Sequence, residues 1–147
     1  PNPHPTDTTD WRGLIVDSSH SQRTLRTDYT GALPRLVHAD PIPNDEQLGL
    51  LGGGARWNRR FVYHLFDARG SLLYVGVTDL PRRRFQQHRR KKSWWPDVAL
   101  AYIYVVQGST DSEAKASARA LEMLAIHGGL PLKNLTGPAQ LPAKRCG

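Results

Sequence analysis

The segment from Arg60 to Thr78, RFVYHLFDARGSLLYVGVT, constrains the fold of this chain more than any other part. Two runs rich in aromatic and β-branched residues flank DARG, in which aspartate and glycine are typical of a turn. This pattern predicts a β-hairpin. With the turn centred on Ala68 and Arg69, Tyr63 pairs directly with Tyr74, and their Cβ atoms are about 5 Å apart. The two phenols are then directed to one point, unless a bulge shifts the register.

The segments after the hairpin are predicted to form a helix, a strand and a second helix. TDLPRRRFQQHRR is typical of a helix capped by Thr78 or Asp79, with Pro81 in its first turn. DVALAYIYVV is typical of a strand, and a capping box of Thr110 and Glu113 begins the second helix. LPLKNL is predicted to continue as an extended segment. The order β-β-α-β-α predicts an α+β fold with a small three-stranded, mostly antiparallel sheet flanked by helices.

The chain divides into three parts by composition. Residues 1–56 are predicted to be an N-terminal arm or accessory segment, partly irregular because prolines and glycines interrupt it. Within it, GLIVD is typical of a short strand, and NDEQLGLLGGG of a short helix capped by Asn44. Residues 57–137 are predicted to be the main domain, and residues 138–147 a C-terminal tail.

The charge of the chain is strongly basic and unevenly spread. Twenty Lys and Arg against thirteen Asp and Glu give 147 residues a net charge of +7, and RRRFQQHRRKK contains seven of these cations without an acid. Such a run can be a solvated face, but with this overall excess it favours binding to a phosphate backbone. The predicted nucleic-acid-binding residues are Arg82, Arg83, Arg89, Arg90, Lys91, Lys92, Trp94 and Trp95. The tryptophans could stack on bases or simply anchor the loop before the third strand.

Other classes of protein are disfavoured. No apolar run approaches the length of a membrane span, so no membrane association is expected. The single cysteine, Cys146, excludes a disulfide framework and a cysteine-based metal site. These features suit a cytoplasmic protein of the bacterial type, although a delivered effector domain can also lack disulfides. The sequence makes no prediction of oligomeric state.

Three side chains on the two predicted helices could carry chemistry. Arg84 and His88 lie four residues apart, so they share a helix face, where a guanidinium can bind phosphate or be one more surface cation. An imidazole also titrates in the range useful for a general base. Glu122 lies about 100° from Leu121 around the second helix, at the border between core and solvent. A carboxylate there either pairs with a surface cation or binds a hard metal ion.

Together these residues resemble the GIY-YIG nucleases, a family that includes homing endonucleases, restriction enzymes and the nuclease module of bacterial excision repair. The two signatures correspond to FVY at Phe61–Tyr63 and YVG at Tyr74–Gly76. The other family positions fall on Arg84, His88, Glu122 and Asn134. Two positions depart from the family pattern: Phe61 replaces a glycine, and Val77 stands where several members carry a polar or cationic residue.

The resemblance implies a metal-dependent endonuclease that hydrolyses phosphodiester bonds of DNA, most naturally double-stranded, with RNA also open. Glu122 is expected to bind one Mg²⁺ or Mn²⁺, and Arg84 a phosphate oxygen. Tyr63, or His88 as base or relay, is expected to activate water, while Tyr74 hydrogen-bonds the water or the phosphate. Asn134 is expected to tie the return segment to the sheet near the site.

Two other functions stay open at this point. One is a non-cleaving nucleic-acid-binding module of the same fold, and the other is a ribonuclease or a toxin effector domain. The joint presence of the signature residues argues against a decayed site, because a protein without activity does not need them. A further phosphoester- or nucleotide-directed enzyme on this scaffold is a weaker alternative, since fold does not fix function.

Overall fold

The computed structural model describes residues 29–52, 57–129 and 131–134. Four strands are present in this part of the chain: β1 (Arg35–His38), β2 (Arg59–Asp67), β3 (Leu72–Thr78) and β4 (Val98–Gln107). The α-helices are α1 (Asp45–Leu50), α2 (Pro81–Lys91), α3 (Asp111–Gly129) and the short α4 (Leu132–Asn134), and a 3₁₀ turn spans Trp95–Asp97. The predicted α+β class is confirmed.

The sheet is antiparallel throughout and has the strand order β1-β4-β2-β3. It therefore has four described strands rather than the predicted three. The additional strand, β1, comes from the segment before residue 57 and pairs with β4. Its four residues fit between Pro34 and Pro41, so the prolines bound the strand instead of interrupting it. The predicted strand GLIVD lies outside the described residues.

The register of the β2–β3 hairpin differs from the prediction. Tyr63 pairs with Gly76, and Tyr74 pairs with Leu65, so the predicted direct Tyr63–Tyr74 pair is wrong. The turn and a bulge at Leu73 each add one residue to the β3 side, which together offset the register by two. Because side chains alternate with a period of two, this offset keeps both tyrosines on the same face.

The turn itself explains part of this offset. The Asp67 carboxylate accepts hydrogen bonds from the backbone N–H groups of Arg69 and Ser71, both at 2.9 Å. Gly70 has φ +87°, a left-handed conformation that glycine adopts without steric cost. The DARG segment therefore forms a wider turn than a two-residue hairpin loop.

The two faces of the sheet carry separate cores. On one face, α1 and α2 cover Phe61, Tyr63 and Leu65, with Leu48 and Phe85 as their fully buried partners. On the other face α3 packs through the apolar stripe that its sequence predicts. That stripe comprises Ala114, Ala118, Leu121 and Ala125, with Leu124 partly buried beside it. α2 and α3 lie on opposite faces of the sheet, and because β3 is an edge strand, side chains of both helices line the space beside it.

The helix ends agree only partly with the predictions. Asn44 caps α1 through a capping box, and Thr110 caps α3 by accepting from the N–H of Glu113 at 3.1 Å. The predicted caps of α2 are wrong: no side chain caps its first turn, and Thr78 Oγ1 instead accepts from the N–H of Leu80 at 3.0 Å. Pro81 begins α2 as expected, because the first turn needs no N–H partner there.

The segment after α3 was predicted to be extended, which is wrong for its described part. Residues Leu132–Asn134 form the short helix α4, which lies against β3.

Candidate active site

A cleft of about 570 Å³ opens beside the edge strand β3, between α2 and α3. Three of the residues singled out in the sequence, Tyr74, Arg84 and Glu122, line it together. The remaining lining residues are Arg60, Gly76, Val77, Thr78, Asp79, Leu80, Arg83, Gln87, Lys115 and Arg119. The edge position matters, because a side chain of α3 reaches the α2 side of the sheet only where no further strand intervenes.

Tyr63 and His88 form a buried pair directly behind this cleft. The Tyr63 hydroxyl lies 2.7 Å from Nε2 of His88, and neither side chain has more than a few per cent of its surface exposed. The Tyr74 ring stacks near Tyr63 with a centroid separation of 6.1 Å and contacts His88 at 5.0 Å. Tyr74 therefore stands between the buried pair and the cleft.

Gly76 has a specific steric role in this arrangement. A Cβ atom built on Gly76 would lie 2.4 Å from the hydroxyl of Tyr63 and 2.5 Å from its Cζ. Such distances are far inside van der Waals contact, so any side chain at this position would displace the Tyr63 ring. The glycine of YVG thus permits the close approach of the first tyrosine to β3.

The two tryptophans cover the aromatic cluster from the C-terminal end of α2. Trp94 stacks on Tyr74 with centroids 5.2 Å apart, and Trp95 stacks on His88 at 6.3 Å. Both side chains are half-buried. The structure therefore places them as packing partners of Tyr74 and His88, which corresponds to the anchoring alternative for these residues.

Burial determines the ionisation of the cluster. It raises the pKa of the Tyr63 phenol well above its ordinary value, and the neighbouring Tyr74 adds to this while Arg84 opposes it. It also raises the pKa of Tyr74, against the charge of Arg84. Burial, with the positive charges of Arg84 and Lys92, lowers the pKa of His88 to about 4. The expectation that His88 titrates near neutral pH is therefore wrong, because its environment disfavours the charged imidazolium.

Arg84 and Glu122 are the charged residues of the cleft that act electrostatically on both phenols. Arg84 is half-buried and donates from one terminal nitrogen to Gln87 Oε1 at 3.2 Å. Its Nε is buried and has no acceptor among the residues that the structure describes. Burial raises the pKa of the Glu122 carboxyl, while Arg119 and Arg84 act in the opposite direction. Glu122 is half-buried, as its place on the helix predicts.

The basic run on α2 divides between two faces of that helix. Arg83 and Arg84 line the cleft, whereas Arg89 forms a salt bridge of 3.2 Å with Asp45 on α1. Arg82 also lies toward α1, since its terminal nitrogen is 3.3 Å from the position of a Cβ on Gly49. The remaining predicted contacts, Arg90, Lys91 and Lys92, are exposed around the end of the helix.

Three cations of the cleft were not singled out in the sequence: Arg60, Lys115 and Arg119. Lys115, Arg119 and Glu122 have the spacing i, i+4, i+7, which places them within about 60° of one another around α3. This helical spacing was visible in the sequence and could have identified Lys115 and Arg119. Arg60 precedes the first signature directly and forms a two-point salt bridge with Asp111, at 2.6 and 3.2 Å.

Two predicted features remain to be located. Asn134 ends α4, which lies against β3, but its side chain is outside the described part of the structure. Across residues 29–52, 57–129 and 131–134, no group of three or more His, Cys, Asp or Glu residues is arranged to hold a metal ion. In the same residues, no helix is long and apolar enough to span a membrane.

Residues 59–124 match the family model of the GIY-YIG catalytic domain. This segment belongs to the GIY-YIG nuclease superfamily. The matched range contains β2 through most of α3, and thus every residue of the cleft described above. Searches of the curated proteins and of the solved structures returned no significant match to the chain. The GIY-YIG domain gives this chain a nuclease-type fold.

Proposed function

We propose that this protein is a divalent-metal-dependent endonuclease that hydrolyses phosphodiester bonds of DNA, with double-stranded DNA as its substrate. The observation that carries the proposal is the presence of Tyr74, Arg84 and Glu122 in one open cleft, backed by the Tyr63–His88 hydrogen bond. A phenol, a guanidinium and a carboxylate around one space provide contacts for the water, the phosphate and a cation. The net charge of +7 supports a polyanionic substrate.

Arg84 is proposed to bind a non-bridging oxygen of the scissile phosphate. Its guanidinium can donate two parallel hydrogen bonds to a phosphate, and its buried Nε has no acceptor among the described residues. Charge on the phosphate oxygens increases as water adds to phosphorus and the bond to the 3′ oxygen breaks. A fixed guanidinium therefore stabilises the transition state more than the bound substrate.

Water activation is proposed to proceed through the aromatic cluster. Tyr74 lines the cleft and can contact the attacking water, whereas Tyr63 is completely buried behind it, with its hydroxyl next to His88. In this scheme a proton passes from water through Tyr74 and Tyr63 to Nε2 of His88. The lowered pKa of His88 keeps its ring neutral at pH 7, but it also makes the ring a weak base. The negative charge of the bound phosphate would then favour the imidazolium.

The donor set fits a single hard cation. Glu122 offers one carboxylate in an open cleft, and Mg²⁺ in proteins commonly keeps several waters and takes one or two carboxylates together with substrate phosphate. Glu122 would hold Mg²⁺ or Mn²⁺, and the ion would supply charge neutralisation at the phosphate and at the departing 3′ oxygen. The absence of a larger ligand cluster among the described residues is compatible with this, because water and substrate complete the coordination.

The function is tested by incubating the protein with supercoiled plasmid in Mg²⁺, in Mn²⁺ and in EDTA. We expect conversion to nicked or linear DNA in either metal, and none in EDTA. Salt-sensitive DNA binding without conversion in any condition would instead support a non-cleaving binding module. Cleavage of RNA but not of plasmid would support the ribonuclease alternative.

Replacing Tyr63 by phenylalanine is expected to lower the nicking rate by about 10²- to 10⁴-fold, the usual contribution of proton transfer. The substitution removes the hydroxyl that contacts His88 and leaves the ring that packs on Gly76. Single-turnover rates with excess protein over plasmid give the comparison. Phe66 is half-buried on the other face of the sheet, and Phe66→Tyr is the matched control. A Tyr63→Phe variant that cleaves at the wild-type rate would exclude the proposed relay.

A further inference from the structure

The wall of the cleft that α3 forms carries two cations that the proposed chemistry does not use. Lys115 and Arg119 both line the cleft, on the same side of α3 as Glu122. Both are exposed, and neither forms a salt bridge with any residue that the structure describes. By contrast, Arg60 at the same end of the cleft is neutralised by Asp111.

Cations on both sides of this cleft repel one another in the absence of a ligand. Arg83 and Arg84 stand on the α2 side, opposite Lys115 and Arg119 on the α3 side. Asp79 and Glu122 are the carboxylates that line the same space, so cations outnumber them. One phosphate bound between Arg84 and Glu122 balances only part of this charge. On the α3 side, Arg119 acts on the Glu122 carboxyl, and Lys115 and Arg119 together still leave positive charge in excess.

The distance from Glu122 to Lys115 along α3 corresponds to the length of about three nucleotides. With a rise of 1.5 Å per residue, Arg119 lies about 4.5 Å and Lys115 about 10.5 Å from Glu122 along the helix axis. Consecutive nucleotides of one strand advance about 3.4 Å along a DNA duplex. Beyond Lys115, the first turn of α3 carries Glu113, whose charge would repel a strand that continued further.

We propose that Lys115 and Arg119 bind one or two backbone phosphates next to the scissile phosphate and fix the path of the cleaved strand along α3. This inference rests on the proposed function, because it requires a nucleic acid in the cleft. Both residues are proposed to act in binding the strand, so loss of both charges raises the KM.

Binding without cleavage separates this inference from the proposed activity. The probe is a fluorescein-labelled 20-base-pair DNA duplex in EDTA, and its anisotropy gives the Kd at NaCl concentrations between 50 and 300 mM. The variant is Lys115→Gln with Arg119→Gln. The control is Arg35→Gln with Arg69→Gln, which removes two positive charges as well. Arg35 lies on the opposite edge strand and Arg69 at the far end of the hairpin, and both are exposed.

The slope of log K against log salt is expected to be about two units shallower in the variant than in the wild type, and unchanged in the control. If the plots for variant and wild type meet near 1 M salt, this difference in slope corresponds to a roughly 30-fold higher Kd for the variant at 0.15 M salt. A variant with Lys115→Gln and Arg119→Lys keeps one of the two charges, so its slope should be steeper than that of the double glutamine variant by about one unit. Equal losses in variant and control would overturn the inference and leave the proposed nuclease standing. Failure of the wild type to bind DNA at low salt would overturn both, whereas binding without cleavage would contradict only the proposed activity.

Discussion

Replacing Glu122 by glutamine is expected to lower the rate of plasmid nicking in Mg²⁺ by about a thousandfold or more. Glutamine keeps the size of the side chain but has no charge, so it is a poor ligand for a hard cation. A metal ion commonly supplies several kcal/mol of transition-state stabilisation, and each 1.4 kcal/mol or so corresponds to a factor of ten in rate. Initial nicking rates over a series of Mg²⁺ and Mn²⁺ concentrations provide the measurement.

The stability of the same variant distinguishes a lost ligand from a damaged fold. Burial raises the pKa of folded Glu122 above its ordinary value near 4.5. The unfolded chain keeps the ordinary pKa and therefore loses its proton at a lower pH than the folded protein does. As pH rises from the ordinary pKa to the raised pKa, the free energy of unfolding decreases, so ionised Glu122 destabilises the fold. Without metal at pH 7, Glu122→Gln is therefore expected to be at least as stable as the wild type in urea unfolding.

The control for this prediction is Glu46→Gln, the same chemical change at an exposed position of α1. It should leave both nicking and stability unchanged. A Glu122→Gln variant with normal nicking would remove Glu122 from the metal site. A variant that loses activity together with most of its stability would show that Glu122 supports the fold instead.

The sequence predicted that Tyr74, Arg84 and Glu122 would lie near one another, but it did not predict the register of the hairpin that positions Tyr74. The register was wrong by two residues, because neither the wider DARG turn nor the bulge at Leu73 follows from residue types alone. The two tyrosines still share a face, since an even offset preserves the alternation of side chains. An offset of one residue would have turned Tyr74 toward α3 and away from Tyr63. Assignment to the GIY-YIG superfamily was independent of this register, because it rested on spacings along the chain.

Other errors arose where distant parts of the chain meet. β1 joins the sheet through hydrogen bonds to β4, about 65 residues later, and its own sequence is too short and too proline-flanked to indicate this. The low pKa of His88 results from its burial, to which Tyr74 of β3 and the adjacent Trp94 and Trp95 contribute, and from the positive charges of Arg84 and Lys92. Its position on α2 was predictable, but the extent of its burial was not.

Replacing Arg84 by lysine is expected to lower the nicking rate by about 10³-fold or more, in the range measured for arginines that stabilise phosphoryl transfer. Lysine keeps the charge but offers a single ammonium, which cannot reproduce two parallel hydrogen bonds to a phosphate. A large loss in Arg84→Lys would therefore show that geometry, and not charge alone, is required. The measurement is the single-turnover rate at saturating plasmid, with Arg69→Lys at the exposed hairpin tip as the matched control.

The environment of Arg84 gives a physical reason for this expectation. Its Nε is buried without an acceptor in the described part of the chain, and an unsatisfied buried donor costs about 1–3 kcal/mol. A phosphate in the cleft would provide the acceptor, so the free energy lost in the empty site is recovered when substrate binds. The ammonium of lysine has no group at the position of Nε and cannot make this contact. If Arg84→Lys cleaves at the wild-type rate, the buried Nε has no part in catalysis, and Arg84 acts only through its charge.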